Sequence, residues 1–200
     1  MSYRLRIRLI VISFVLMPLM VTAAYYASQF FTCADEPVKS DAIILFDGPN
    51  FMAREKEAHR LLDEGYARFL IVPAFQNVFT LKNIPPHVQD VSDNAKFRSF
   101  NKYPVFYENT HIEILHAQKI MNALELKSAI MVSSPDHMKR IRMISQKVFG
   151  EQSRFFSYVP TRYLHCPAGL QDMDMADWMH VIEESVKICW LNIYSFVSGC

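Results

Sequence analysis

Three stretches of this chain share one pattern: helical hydrophobic spacing whose first inward member is a residue able to do chemistry. The stripes are Arg54, Ala58, Leu61, Leu62, then Glu113, Ala117, Ile120, Met121, Leu124, then His137, Ile141, Ile144, Val148. Apolar residues at such spacing form the buried face of a helix. A guanidinium, a carboxyl and an imidazole at the heads of three such faces could bind an anion, orient a partner and move a proton. Polar residues are also common in first turns for capping alone, so one such head means little and three mean more.

Those helices alternate with short apolar runs at 41–47, 69–72, 105–107, 128–133 and 155–159, each read as a strand. The expected helices are 51–64, 110–125, 137–149 and 176–196. Alternation of this kind predicts an α/β domain: three layers, Rossmann-like, with a mostly parallel sheet and helices on both faces. In such a sheet, helix starts gather at the carboxyl edge of the strands, where ligands bind. Arg54, Glu113 and His137 should therefore share a crevice. The turns entering it carry hydrogen-bonding groups at Asp47-Gly48, Asn109-Thr110 and Ser133-Ser134, and open amides at helix N-termini favour an anionic ligand. Residues 75–104, with Pro85-Pro86 and no glycine, read as an irregular or partly helical insertion. In the closing segment Trp178, Ile182, Val186, Cys189, Ile193 and Phe196 form an apolar stripe that should face the core, with Cys189 a buried thiol. Glu183 and Glu184 should then lie on the solvated face.

Charge divides the chain. Its 200 residues hold 21 Lys and Arg against 20 Asp and Glu. Arg4, Arg6 and Arg8 precede an uncharged run of 23 residues from Leu9 to Phe31, and the remaining 169 residues carry a net −2. A weakly acidic domain without a basic cluster is a poor nucleic-acid binder. The run would be about 34 Å long as a helix, enough to cross a bilayer. Basic residues before it place 1–8 in the cytoplasm, 9–31 in the membrane and 32–200 outside, periplasmic or otherwise extracytoplasmic. A signal peptide cut after Val21-Thr22-Ala23 is the rival reading, although the run stays apolar for eight further residues.

Several chemistries find no support. The seven histidines include no i,i+4 pair and no HExxH, so no metal site is expected. Without GxSxG a nucleophile-elbow hydrolase is disfavoured. Glu108 and Glu113 could pair as acid and base, but their spacing across a strand-to-helix turn leaves the geometry open. No cofactor is indicated. Four cysteines in an exported domain could pair. If the last helix descends from the carboxyl to the amino edge, Cys33–Cys200 is favoured over Cys33–Cys166.

DAIILFDG, REKEAHRLLDEGYARFLIV, ENTHIE and SAIMVSSPDHMKRI stand in the order found in the YdcF/SanA/ElyC-like family, a bacterial envelope domain of unknown function, which residues 40–160 resemble. The most specific piece is Ser134-Pro-Asp-His-Met-Lys-Arg140, similar to the family's S-x-x-H-x-x-R element. The resemblance implies a polar pocket of Gly48, Arg54, Asn109, Thr110, Glu113, Ser134, His137 and Arg140. This chain reads Asp47-Gly48-Pro49-Asn50 and Pro73-Ala74 where the family commonly has glycine-rich turns.

Two functions follow as expectations. In one, the domain binds an anionic small molecule or lipid-linked glycan precursor at the inner membrane. Arg54 and Arg140 clamp it, His137 is the acid or base, Glu113 orients His137 or takes a proton itself, and Asp47, Gly48, Asn109, Thr110, Ser133 and Ser134 complete the site. In the other it is a non-catalytic envelope scaffold or regulator acting through protein contacts. The topology is directly testable: a reporter fused after Cys200 should be active only if it folds outside the cytoplasm, and strong signal from a cytoplasm-only reporter rejects export.

Overall fold

The computed structural model describes Met17 and residues 34–88, 103–167 and 169–198. The basic tail, the rest of the apolar run, Cys33, Cys200 and residues 89–102 of the insertion lie outside the described residues. Among those described, no helix is long and apolar enough to cross a membrane.

Five strands, β1 (Ala42–Leu45), β2 (Phe69–Val72), β3 (Asn77–Thr80), β4 (Ala129–Ser133) and β5 (Phe156–Pro160), form one sheet in the order β3-β2-β1-β4-β5. All neighbours run parallel except β3, which pairs antiparallel with β2. Helices α1 (Phe51–Asp63), α2 (Asn109–Ala123), α3 (Met138–Phe149) and α4 (Met175–Ser198) complete the α/β domain. β1 and β4 are buried along their whole length, which is why they read as unbroken apolar runs rather than as alternations. Ile43, Leu45, Ile130 and Val132 pack with Ala58, Leu61 and Leu62 of α1. Ala42, Ile44, Ala129 and Met131 pack on the other face with Ala117 and Met121 of α2, Ile141 and Ile144 of α3, and Leu191 and Tyr194 of α4.

Local chemistry sets the ends of these elements. Gly65 closes α1 at φ +76°, a backbone conformation that disfavours a side chain. Its amide donates to Leu62 O, and that of Tyr66 to Leu61 O, the reverse turn that ends helices at glycine. The free edge of β5 is covered by the incoming chain: Asp35 N donates to Tyr158 O at 2.8 Å, and Tyr158 N donates to Asp35 Oδ2 at 2.9 Å. Asp35 also pairs with Arg142 of α3 at 2.7 Å. An edge paired in this way is closed to other strands.

The structure departs from the sequence reading in three places. Val105–Tyr107 is a turn, closed by Tyr107 N donating to Pro104 O. Its aromatic rings are used for packing instead: Tyr107 stacks on His111 at 4.4 Å, and Phe106 lies 6.0 Å from Tyr194. The fifth strand comes from within the insertion, where Asn77–Thr80 folds back on β2. The third departure is α4. Ile182, Val186, Cys189, Ile193 and Phe196 are exposed, and Trp178 is half-buried, while Asp177, Val181, Glu184, Leu191 and Tyr194 face the domain. The inward face is chosen by the partners that wait for it, and one of them is a buried arginine. α4 does not descend to the amino edge either. Its early turns meet the segment around Asp136, and Tyr194 lies against His111 in the first turn of α2. That removes the geometric premise for a Cys33–Cys200 bridge, and Cys166 and Cys189 are both free thiols.

His111 has a consequence for stability. Its Nδ1 lies 2.9 Å from the Tyr194 hydroxyl, and its ring is buried under Tyr107. Burial, helped by the positive charge of Lys147, brings its pKa down to about 4. Protonation therefore favours the unfolded chain, so the stabilisation is complete above the ordinary histidine value of about 6.5 and is lost as pH falls toward 4. Denaturation midpoints should drop over that window by the equivalent of about 3 kcal/mol. In a His111→Gln variant, weaker at neutral pH, the dependence between pH 6.5 and 4 should be largely abolished.

Candidate functional site

β1 and β4 are neighbours whose onward connections leave in opposite directions, the arrangement that opens a crevice beyond the strand ends. Asp47 and Gly48 follow β1 there, and Ser134 follows β4. Arg54, reaching in from α1, joins the two. Its Nη1 donates to Asp47 O at 2.7 Å and Phe46 O at 3.3 Å, and its Nη2 donates to Ser134 Oγ at 2.8 Å. The side chain is 1% exposed. Burial pushes its pKa down, against the pull of Asp136, Glu113 and Asp47.

Gly48 makes that bridge sterically available. It sits at φ +140°, and a Cβ on it would lie 2.9 Å from Arg54 Nη1. The close approach that glycine permits is thus to the protein's own guanidinium. Glu113 secures the same turn from α2, its Oε2 accepting from Asp47 N at 3.2 Å. It braces the loop, and the orienting of His137 falls to another residue.

That residue is Glu184 of α4. Its Oε1 lies 3.0 Å from His137 Nδ1, and its two oxygens accept from Arg140 Nε at 2.7 Å and Nη2 at 3.1 Å. Lys187 Nζ is 3.0 Å away. Glu184 is 1% exposed. Burial alone would raise its pKa, but His137 and Arg140 hold it well below the ordinary carboxylate range. The expected solvated face is therefore corrected. A second set at helical spacing, Val181, Glu184, Ile188 and Leu191, was the sequence signal that could have found it.

Arg140 completes the network. Its Nη1 donates to Glu108 Oε2 at 2.7 Å and to Thr110 Oγ1 at 2.8 Å. The charges and hydrogen bonds of Glu184 and Glu108 outweigh burial and raise its pKa. Burial raises that of Glu108, against Arg140. Pro135–His137 forms a single tight 3-10 turn leading into α3, so His137 and Arg140, three residues apart, both reach Glu184.

A cavity of about 460 Å³ opens over these groups. Asp47, Gly48, Arg54, Asn109, Thr110, Glu113, Ser133, His137 and Arg140 all line it, together with Glu108 and Lys187. Ser134 lines an adjoining cavity that shares Arg54, His137 and Lys187. The chemistry differs from a cationic clamp. Arg140 spends its donors on two carboxylates and a hydroxyl, and both Nη atoms of Arg54 are engaged. What remains is mixed. Ser133 Oγ, Glu108 Oε1 and Arg54 Nε are buried without a hydrogen-bond partner, a state that native structures rarely leave unexplained. Among the described residues His137 Nε2 has no hydrogen-bond partner, and no group of His, Cys, Asp and Glu could hold a metal ion.

The network makes a sharp distinction between two adjacent carboxylates. Glu184→Gln should destabilise the domain by about 3 kcal/mol, since it leaves a buried guanidinium short of its counter-charge. Glu183→Gln, at a side chain 61% exposed, should change stability by less than about 0.5 kcal/mol. Equal effects in urea denaturation would reject the hub role of Glu184.

No family model, curated protein or solved structure matches this chain, so its function has to be read from the geometry itself.

Proposed function

We propose that this is a YdcF-like domain, membrane-anchored through residues 9–31 and exported, which binds and transforms an anionic, hydroxyl-bearing envelope metabolite at the carboxyl edge of its sheet. A phosphorylated or lipid-linked sugar is the class that fits. One observation carries the reading: a histidine backed by a buried carboxylate, His137 Nδ1 to Glu184 Oε1 at 3.0 Å, borders a cavity holding unpartnered polar atoms of both hydrogen-bonding senses. A carboxylate beside Nδ1 favours the tautomer that carries its proton there. Nε2 is then the atom that takes a proton from a hydroxyl or gives one to a leaving group.

The two arginines act as frame, since each is held by protein groups. A sugar's hydroxyls suit the unpartnered serine and carboxylate. Its anionic group suits the first turn of α2, where amides point outward. A second reading, a non-catalytic factor of the envelope working through protein contacts, is favoured by those same engaged arginines, which hold the fold whether or not anything binds.

His137→Ala separates the readings better than any arginine variant, because that side chain is partly exposed and makes no aligned hydrogen bond. Complementation of a deletion strain should fail with His137→Ala, while the purified variant melts within about 2 °C of wild type. Full complementation by His137→Ala would end the catalytic reading and leave the contact reading.

A further inference from the structure

The outward face of α4 has its own pattern. Met179, Ile182, Val186, Cys189, Ile193 and Phe196 follow one another at alternating steps of three and four residues, and every one is exposed. A mean spacing of 3.5 residues is the seam of a coiled coil. The opposite face, with Glu184 and Leu191, is buried in the domain. The helix is thus finished on one side and unpartnered on the other.

We propose that this seam binds the same seam on a second copy of the chain, giving a two-fold dimer through paired α4 helices. The period favours a helix as occupant, because knobs from one helix fill holes in another at this spacing. The flanks favour a second copy. Trp178, Glu183, Ser185, Trp190 and Asn192 stand beside the seam, and Glu183, the charged one, is already neutralised by Lys187 Nζ at 2.6 Å. Two copies therefore meet without opposed like charges, and nothing there calls for a partner of opposite sign. A lipid surface is matched poorly, since interfacial helices carry free Lys and Arg on their flanks, whereas Lys187 is tied to Glu183 and Glu184. The size is sufficient. A 24-residue helix is about 36 Å long, and two such seams would bury roughly 1,000 Å² in total, where specific interfaces begin.

The test uses the full-length chain in mild detergent, with mass read by light scattering from ~1 to ~100 μM. Wild type should be a dimer at the upper end. Val186→Lys and, independently, Ile182→Gln should weaken association by at least ~100-fold, and the circular-dichroism melting temperature taken at the dilute end, ~1 μM, where wild type too is monomeric, should be unchanged, both side chains being exposed in the single chain. A wild-type monomer at ~100 μM overturns the proposal, as would happen if the chain's own residues 9–31 covered the seam. A dimer that persists in both variants also overturns it, and would place the contact elsewhere, the apolar run included.

Discussion

A single buried carboxylate organises the carboxyl edge of this domain. Glu184 receives Arg140 on two nitrogens and contacts His137 and Lys187. Arg140 passes the connection on to Glu108 and Thr110 at the start of α2. Three helices that share no stretch of sequence are thereby joined, α2 and α3 at their first turns and α4 near its middle. Such a charge is tolerable in the interior only when it is paired, and removing either Glu184 or the doubly bonded Arg140 would strand the other, at several times what an exposed pair contributes. The position of α4 is therefore set by charge satisfaction as much as by apolar burial.

Arg54 does the equivalent work at the sheet itself. It ties the turn after β1 to the turn after β4, and Gly48 lets the backbone come close enough for that to happen. Glu113 holds the amide of the residue whose carbonyl Arg54 holds. The loop that would first meet a ligand is thus fixed in advance. Preorganisation of this kind reduces the ordering cost of any binding at this edge. Both arginines are engaged by protein groups, Arg54 by a carbonyl and a serine and Arg140 by two carboxylates.

The two faces of α4 show the same division of labour along one helix. The inner face mixes Val181 and Leu191 with Asp177 and Glu184; the outer one is almost wholly apolar. A helix more hydrophobic outside than inside would be unstable as a lone surface element. Here the inner face is compensated by its ion pairs and by the Tyr107–His111–Tyr194 ring cluster.

The α/β class, helices at 51–64, 110–125 and 137–149, each within two residues of the observed ends, and the gathering of Arg54, Glu113 and His137 around one crevice were legible in the chain itself, whereas Arg140 entered only through the family resemblance. Buried parallel strands leave unbroken apolar runs, helices leave a 3.6-residue period, and parallel topology puts helix starts at one edge. Three things were decided only by the tertiary structure. Periodicity shows that a helix has an apolar stripe, but which face of α4 turns inward depended on an arginine 44 positions away. The run Val105–Tyr107 has strand composition, yet its rings pack on His111 and Tyr194 and it forms a turn outside the sheet. Arg54 and Arg140 are cations in sequence, but their meaning came from the carbonyls and carboxylates the fold brought to them. Residue type states what a group can do, and only its neighbours in space determine which of those capacities remains free.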